Sequence, residues 1–235
     1  MARSLRDAGH LPHNRPDGQP ADPSELPRQR RGITPQRHGR YPDYDVLENA
    51  AHWDETTRRV VLDRVEKVPP VRFFSSAQAR CLRAFLDVLL AQDAEPRIPV
   101  LELVDATLHA GKLDGYRYAG MPRDDETWRI VAAGLDEAAG GDFSAASEPA
   151  QHDVVGRFAA GKLAGGSWER VDVARAWSVV TRGALAAFYS HPWAWNEIGF
   201  GGPAYPRGYM RLHAGPSGRE PYEAREAFEQ DPVDE

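Results

Sequence analysis

The stretch from Phe188 to Arg211, FYSHPWAWNEIGFGGPAYPRGYMR, constrains this chain more than any other. Two of the chain's six tryptophans, Trp193 and Trp195, stand one residue apart in it. Tyr189, Phe200, Tyr205 and Tyr209 surround them, together with three prolines and four glycines. Pro192, Pro203 and Pro206 lack an amide donor, and the Gly-Phe-Gly-Gly run at 199–202 adds little local stiffness. The stretch therefore reads as an irregular loop, not a regular helix or a central strand. It is nonetheless too aromatic for a free linker, because disordered linkers are poor in large apolar groups. It must pack on its own domain or on a partner protein, where aromatic anchors carry much of the binding energy. Both readings stay open at this level.

The rest of the chain sets the frame. Its 235 residues suit one domain of ordinary size with tails. A formal net charge of −6 and a mean hydropathy of −0.57 point to neither a nucleic-acid binder nor a membrane protein. No window approaches 18 consecutive apolar residues, the length of a membrane span. Cys81 is the only cysteine, so the chain closes no internal disulfide and builds no thiol metal cluster. It lies in an apolar helical pattern and reads as a small core residue.

Residues 1–43 are rich in Pro, Arg, Gly, Gln and Asp and are expected to form a disordered basic arm; residues 1–40 alone hold eight arginines against four acids, a balance of +4. Arg30-Arg31 invites an export-signal reading, but the residues after it contain no apolar h-region. At the other end, residues 214–235 hold seven acids and two arginines, a balance of −5, and read as a flexible acidic tail. Residues 44–71 differ from the arm. Tyr44, Val46, Leu47, Trp53, Val60, Val61, Leu62 and Val65 mark a docking segment, and residues 54–62 within it read equally as a short helix or a strand, given their β-branched content.

A mainly α domain of about five helices is expected over 72–213, ending in the aromatic loop. Ser75 or Ser76 caps the first helix, whose face carries Cys81, Leu82, Phe85, Leu86, Leu89 and Leu90. Pro99 opens a second, with the stripe Val100, Leu101, Val104 and Leu108. Asp124 or Asp125 caps a third carrying Trp128, Val131 and Leu135, stopped at Gly140-Gly141. Ser147 caps a fourth with Val154, Val155, Phe158 and Leu163. A fifth runs from about Val171 to Tyr189, with Trp177, Val180, Ala184, Leu185 and Phe188 on its stripe, and Pro192 terminates it.

No dinucleotide fingerprint, phosphate-binding loop, nucleophile elbow or haem-attachment motif occurs in the sequence. His191 and Glu197 come nearest to a catalytic or metal pair, but their spacing fits no known ligand motif. Glu102 and Asp105, three apart on one predicted helix, read as a solvated face. Arg97 and Arg117 sit in loops and read as salt-bridge partners within the domain.

The aromatic stretch resembles the C-terminal signature of the gluconate 2-dehydrogenase subunit 3 family. Phe188, Tyr189, His191, Pro192, Trp193, Trp195, Glu197, Ile198, Gly199, Gly201, Gly202, Pro203, Tyr205, Pro206, Gly208 and Tyr209 carry the likeness. It begins near Phe73-Phe74-Ser75 and passes through residues 92–99 and 114–118, covering roughly 72–211. The resemblance implies a non-catalytic small subunit with no redox centre or cofactor of its own. Such a subunit accompanies a large FAD-containing oxidoreductase of the glucose-methanol-choline type, which acts on a sugar, sugar acid or polyol. Electrons pass to a cytochrome c subunit or another acceptor, and the small subunit serves maturation or export of its partner. On that reading Tyr189, His191, Trp193, Trp195, Glu197, Phe200, Tyr205 and Tyr209 are the partner-binding candidates; no catalytic, cofactor or metal residue is implied. Many members carry a twin-arginine signal, which residues 1–43 do not show. A cytoplasmic complex, or export only alongside a signal-bearing partner, is the resulting expectation. Two other readings remain: a helical adaptor with an unrelated partner, and a metal-dependent enzyme using His191 and Glu197.

Overall fold

A computed structural model of the chain describes residues 45–203, apart from Ala94, Leu113, Asp114 and Gly199. The expected basic arm, the acidic tail, Tyr205 and Tyr209 lie outside the described residues. Among the described residues there are seven α-helices, three 3-10 helices and no strand. A mainly α fold is therefore what the chain adopts, and no helix among the described residues is long and apolar enough to cross a membrane. The chain divides into two units. Residues Val68–Phe188 form one; of the described residues, 45–67 and those from 189 to 203 form the other. The aromatic stretch thus groups with the N-terminal segment, whereas the sequence placed it with the five-helix domain.

The Val68–Phe188 unit holds five helices: α2 (Ser76–Leu89), α3 (Val100–His109), α4 (Asp124–Ala138), α5 (Glu148–Ala159) and α6 (Val173–Phe188). α2 packs on α3, α4 and α5, and α6 packs on the same three. The entry to α2 is a full capping box: Ser75 Oγ accepts from the Gln78 amide, and Gln78 Oε1 accepts from the Ser75 amide. Cys81, Leu82, Phe85 and Leu86 are buried on its inner face. The Cys81 thiol lies 3.3 Å from the Ala132 carbonyl of α4, and burial pushes its ionisation well above the ordinary thiol range. An aromatic cluster occupies the centre. Phe158 stands 4.8 Å from Trp168, 5.1 Å from Trp177 and 6.0 Å from Phe85, centroid to centroid. Such contacts add to plain area burial. Trp168 lies in a 3-10 helix, Gly166–Arg170, and its indole N–H donates to the Gly134 carbonyl at 3.1 Å. A Cβ at Gly134 would sit 2.5 Å from that ring, so only glycine permits the approach.

Three expectations change here. Asp105 is not on a solvated face. It is fully buried, and its carboxylate accepts from the backbone amides of Arg72 (2.7 Å), Phe73 (2.9 Å) and Phe74 (2.9 Å). The sequence shows an acid on α3; it does not show that the chain before α2 arrives with three amides needing an acceptor. Glu102 pairs with Arg83 at 2.7 Å. The cap of α4 is Arg123, with Asp124 and Asp125 already inside the first turn, where acids favour the positive helix end. Leu185 is 44% exposed instead of lying in the core stripe of α6. Arg97 does pair within the domain, with Asp87 and Glu95.

Asp105→Ala would leave three buried amides without their acceptor, each costing about 1–3 kcal/mol. We expect a loss of at least about 3 kcal/mol in urea-unfolding stability. A change below about 1 kcal/mol would mean that these amides find other partners.

Candidate functional site

The second unit joins a 3-10 helix (Val46–His52), α1 (Glu55–Glu66) and α7 (Pro192–Ile198). Residues 54–62, ambiguous in sequence, are helical. Asp54 caps α1 by accepting from the Thr56 and Thr57 amides, and Val61, Leu62 and Val65 form its buried face. That spacing belongs to a helix, and the cap outweighs the modest β-branched penalty. α7 packs on both the 3-10 helix and α1.

α7 itself departs from the loop expected there. Pro192 does not only follow α6; it opens a new helix at the position where its missing amide and fixed φ do no harm. His191 supplies the cap. Its Nδ1 accepts from the Trp193 amide at 3.2 Å, and its carbonyl accepts from the Ala194 amide at 3.0 Å. The imidazole also stands edge-on to the Trp193 ring, 4.8 Å between centroids.

Arg64 of α1 ties the segment from the other side. Its Nη1 donates to the Ser190 carbonyl at 2.7 Å, and its guanidinium lies 5.8 Å from the centroid of Trp195. The Trp195 indole donates to the Tyr189 carbonyl at 2.6 Å, and the Phe200 amide returns to the Trp195 carbonyl at 2.9 Å. The Phe200 ring meets Trp195 edge-on at 5.5 Å. Two further links reach the 3-10 helix: the Val46 amide to Asn196 Oδ1 at 2.8 Å, and Asn49 Nδ2 to the Gly201 carbonyl at 3.2 Å. Gly202 closes the contact at a φ of +80°, where a Cβ would lie 2.9 Å from Trp53 and 3.0 Å from Val46.

This arrangement sorts the candidate residues. His191 (1% exposed), Trp193 and Trp195 (6% each) and Glu197 are buried. Tyr189 and Phe200, on either side of Trp195, are each 40% exposed. His191 is thus a structural cap, its Nδ1 accepting the Trp193 amide. Among the described residues no group of three or more His, Cys, Asp or Glu side chains is placed to hold a metal ion. Arg64, Asn49 and Asn196 were missed by sequence reasoning. Each is a polar residue whose role exists only against backbone groups distant in sequence, and no local pattern marks it.

Burial drives the His191 pKa down to about 3; a hydrogen bond to the Arg64 backbone works against this, and the Arg64 charge works with it. The ring is therefore neutral, as an acceptor at Nδ1 requires. Between pH 6.5 and 3 the unfolded chain binds a proton that the folded chain refuses, so stability falls as pH drops through that window. By pH 5 the His191 contribution to this loss is about 2 kcal/mol. His191→Asn, which offers an oxygen near the Nδ1 position, should lower stability at neutral pH. The gap to the native chain should narrow at pH 5; a gap that stays constant between the two pH values refutes the neutral cap.

Trp193→Ala should cost about 3–5 kcal/mol of folding stability, because a large ring leaves a buried site. Thermal melting of the isolated chain checks this. An unchanged melt would place Trp193 at a surface instead.

A family model described as gluconate 2-dehydrogenase subunit 3 matches residues 76–202, more than half of the 235-residue chain. Neither the comparison with curated proteins nor that with solved structures returned a match. The matched stretch takes in α2 through α7 and stops at Gly202, leaving α1 and the 3-10 helix before it outside. By that match, the chain belongs to the gluconate 2-dehydrogenase subunit 3 family.

Proposed function

We propose that this chain is the non-catalytic accessory subunit of a dehydrogenase complex, and that it binds and stabilises a large FAD-dependent oxidoreductase of the glucose-methanol-choline type. The flavin sits in that partner, which oxidises a sugar, sugar acid or polyol; a cytochrome c subunit can complete the electron path. The family supports membership of a multi-subunit dehydrogenase. The observation that carries the reading is the pair Tyr189 and Phe200. Both are large aromatics left 40% exposed on either side of one rigidly held indole. Exposed aromatics on a pre-ordered support are the kind of group that anchors protein interfaces, since little entropy is lost when they bind. His191, Trp193, Trp195 and Glu197 act on this reading as the buried support that sets the angle of the two exposed rings. The complex works in the cytoplasm, or leaves it with a partner that carries the signal.

Affinity capture of the tagged chain from its native host, with an absorbance scan for flavin, is the direct test. A large partner with bound flavin is expected at a fixed ratio. Tyr189→Ala combined with Phe200→Ala should weaken that association by at least about 2 kcal/mol, roughly thirtyfold, with little change in the melt of the isolated chain. A colourless chain captured alone would refute the reading.

A further inference from the structure

The chain passes between its two units twice, after Lys67 and after Phe188. At each passage proline interrupts the helical hydrogen-bond ladder. α1 ends at Glu66, and Lys67 already has an extended backbone, with φ −115° and ψ 93°. Val68-Pro69-Pro70 follows, and neither proline has an amide with which to carry a helix onward. At the other passage α6 ends at Phe188 and α7 starts at Pro192, which lacks the donor that would join them. A helical ladder cannot run unbroken through either passage, so helical order in one unit is not extended into the other along the backbone.

Within the smaller unit the elements depend on one another. The 3-10 helix has seven residues, α1 twelve and α7 seven. Helices of such lengths are marginal in water when isolated. Polar contacts across long stretches of sequence fasten each to a neighbour. Arg64 of α1 donates to the Ser190 carbonyl just before α7, and Asn196 of α7 accepts the Val46 amide of the 3-10 helix. Leu47, Trp53, Leu62, Trp193 and Trp195, drawn from all three elements, are buried. Loss of any one element removes hydrogen-bond partners and packing from the other two. Segments coupled in this way open together, with an opening free energy of their own.

We propose that the 3-10 helix, α1 and α7 open and close as one cooperative unit while α2 to α6 stay folded, and that the flavoprotein partner binds only the closed form. The second half rests on the accessory-subunit reading; the first half stands without it. Opening takes away the support that holds Tyr189 and Phe200, so closing and binding become linked equilibria. A partner seated on those two rings therefore also holds α1 closed, through α7 and without touching α1 itself. Residues 45–67 act in this way as a brace that decides when the two rings are presented.

Hydrogen–deuterium exchange of the tagged full-length chain, free and in the complex captured from its native host, tests both halves. In the free chain, residues 61–65 of α1 and 193–196 of α7 should share one opening constant, at least about tenfold larger than that of α2 and α4. Arg64→Ala should raise it in both segments by a common factor of about tenfold, and Asn196→Ala by about fivefold. Exchange in α2 and α4 should change by less than about twofold in either variant. In the captured complex both segments should slow together. One opening constant for all helices, or a variant that moves one segment without the other, overturns the cooperative unit. Slowing of residues 193–196 by the partner with 61–65 unchanged overturns the link to binding while the accessory-subunit reading stands. A native-sequence chain captured without a flavoprotein defeats that reading and the link together, and exchange in the free chain still decides the cooperative unit.

Discussion

A seven-residue helix has no stability of its own in water, because nucleation fixes several residues for very few hydrogen bonds. The exposed rings on either side of α7 therefore depend on how its ends are held. His191 satisfies the first turn from within the segment, and Arg64 grips the Ser190 carbonyl from α1. Asn196 and Gly201 receive donors from the 3-10 helix. None of these is a large interaction singly, since a typical intramolecular hydrogen bond contributes about 1 kcal/mol net. Together they turn residues 189–198, with Phe200 to Gly202 after them, into a firm mount for those rings. Its buried tryptophans supply the apolar area, and its hydrogen bonds supply the direction.

The helical unit solves a similar problem by different means. There the chain enters α2 from an extended approach whose amides have no helix partner, and the Asp105 carboxylate receives three of them. A buried carboxylate is tolerated because its lone pairs are filled by backbone donors, not because it meets an opposite charge. The same economy appears at Gly134, where the absence of a side chain lets the Trp168 indole reach a main-chain carbonyl inside α4. Both devices place polar groups in the interior with their partners already in hand, which leaves the surface chemistry to loops. Tyr189 and Phe200 are of that kind: rings 40% exposed on a support held by hydrogen bonds.

Sequence periodicity located α2 through α6 within a few residues, since each has a stripe of apolar side chains at helical spacing and a recognisable start or stop. Ser75 with Gln78, and Gly140 with Gly141, are local signals and needed nothing distant. Pro192 misled for a related reason. A proline after a helix is both a stop and a preferred first residue, and the local sequence does not say which role prevails. Leu185 fits the stripe of α6 by spacing yet is exposed, because a stripe wider than its packing surface leaves one edge in water.

By itself the sequence determined the helical class, the main helix starts, the burial of Cys81 and the identity of a segment whose aromatics had to pack. Those properties follow from spacing and capping chemistry that act over a few residues. Only the tertiary structure decided that the aromatic stretch packs with residues 45–67, that Asp105 is an interior acceptor, and that Tyr189 and Phe200 face solvent while Trp193 and Trp195 do not. Each of those outcomes sets a side chain against backbone groups far away in the chain. A hydrogen-bond donor or an apolar ring carries no mark of which distant partner will meet it; that choice is made when the helices pack.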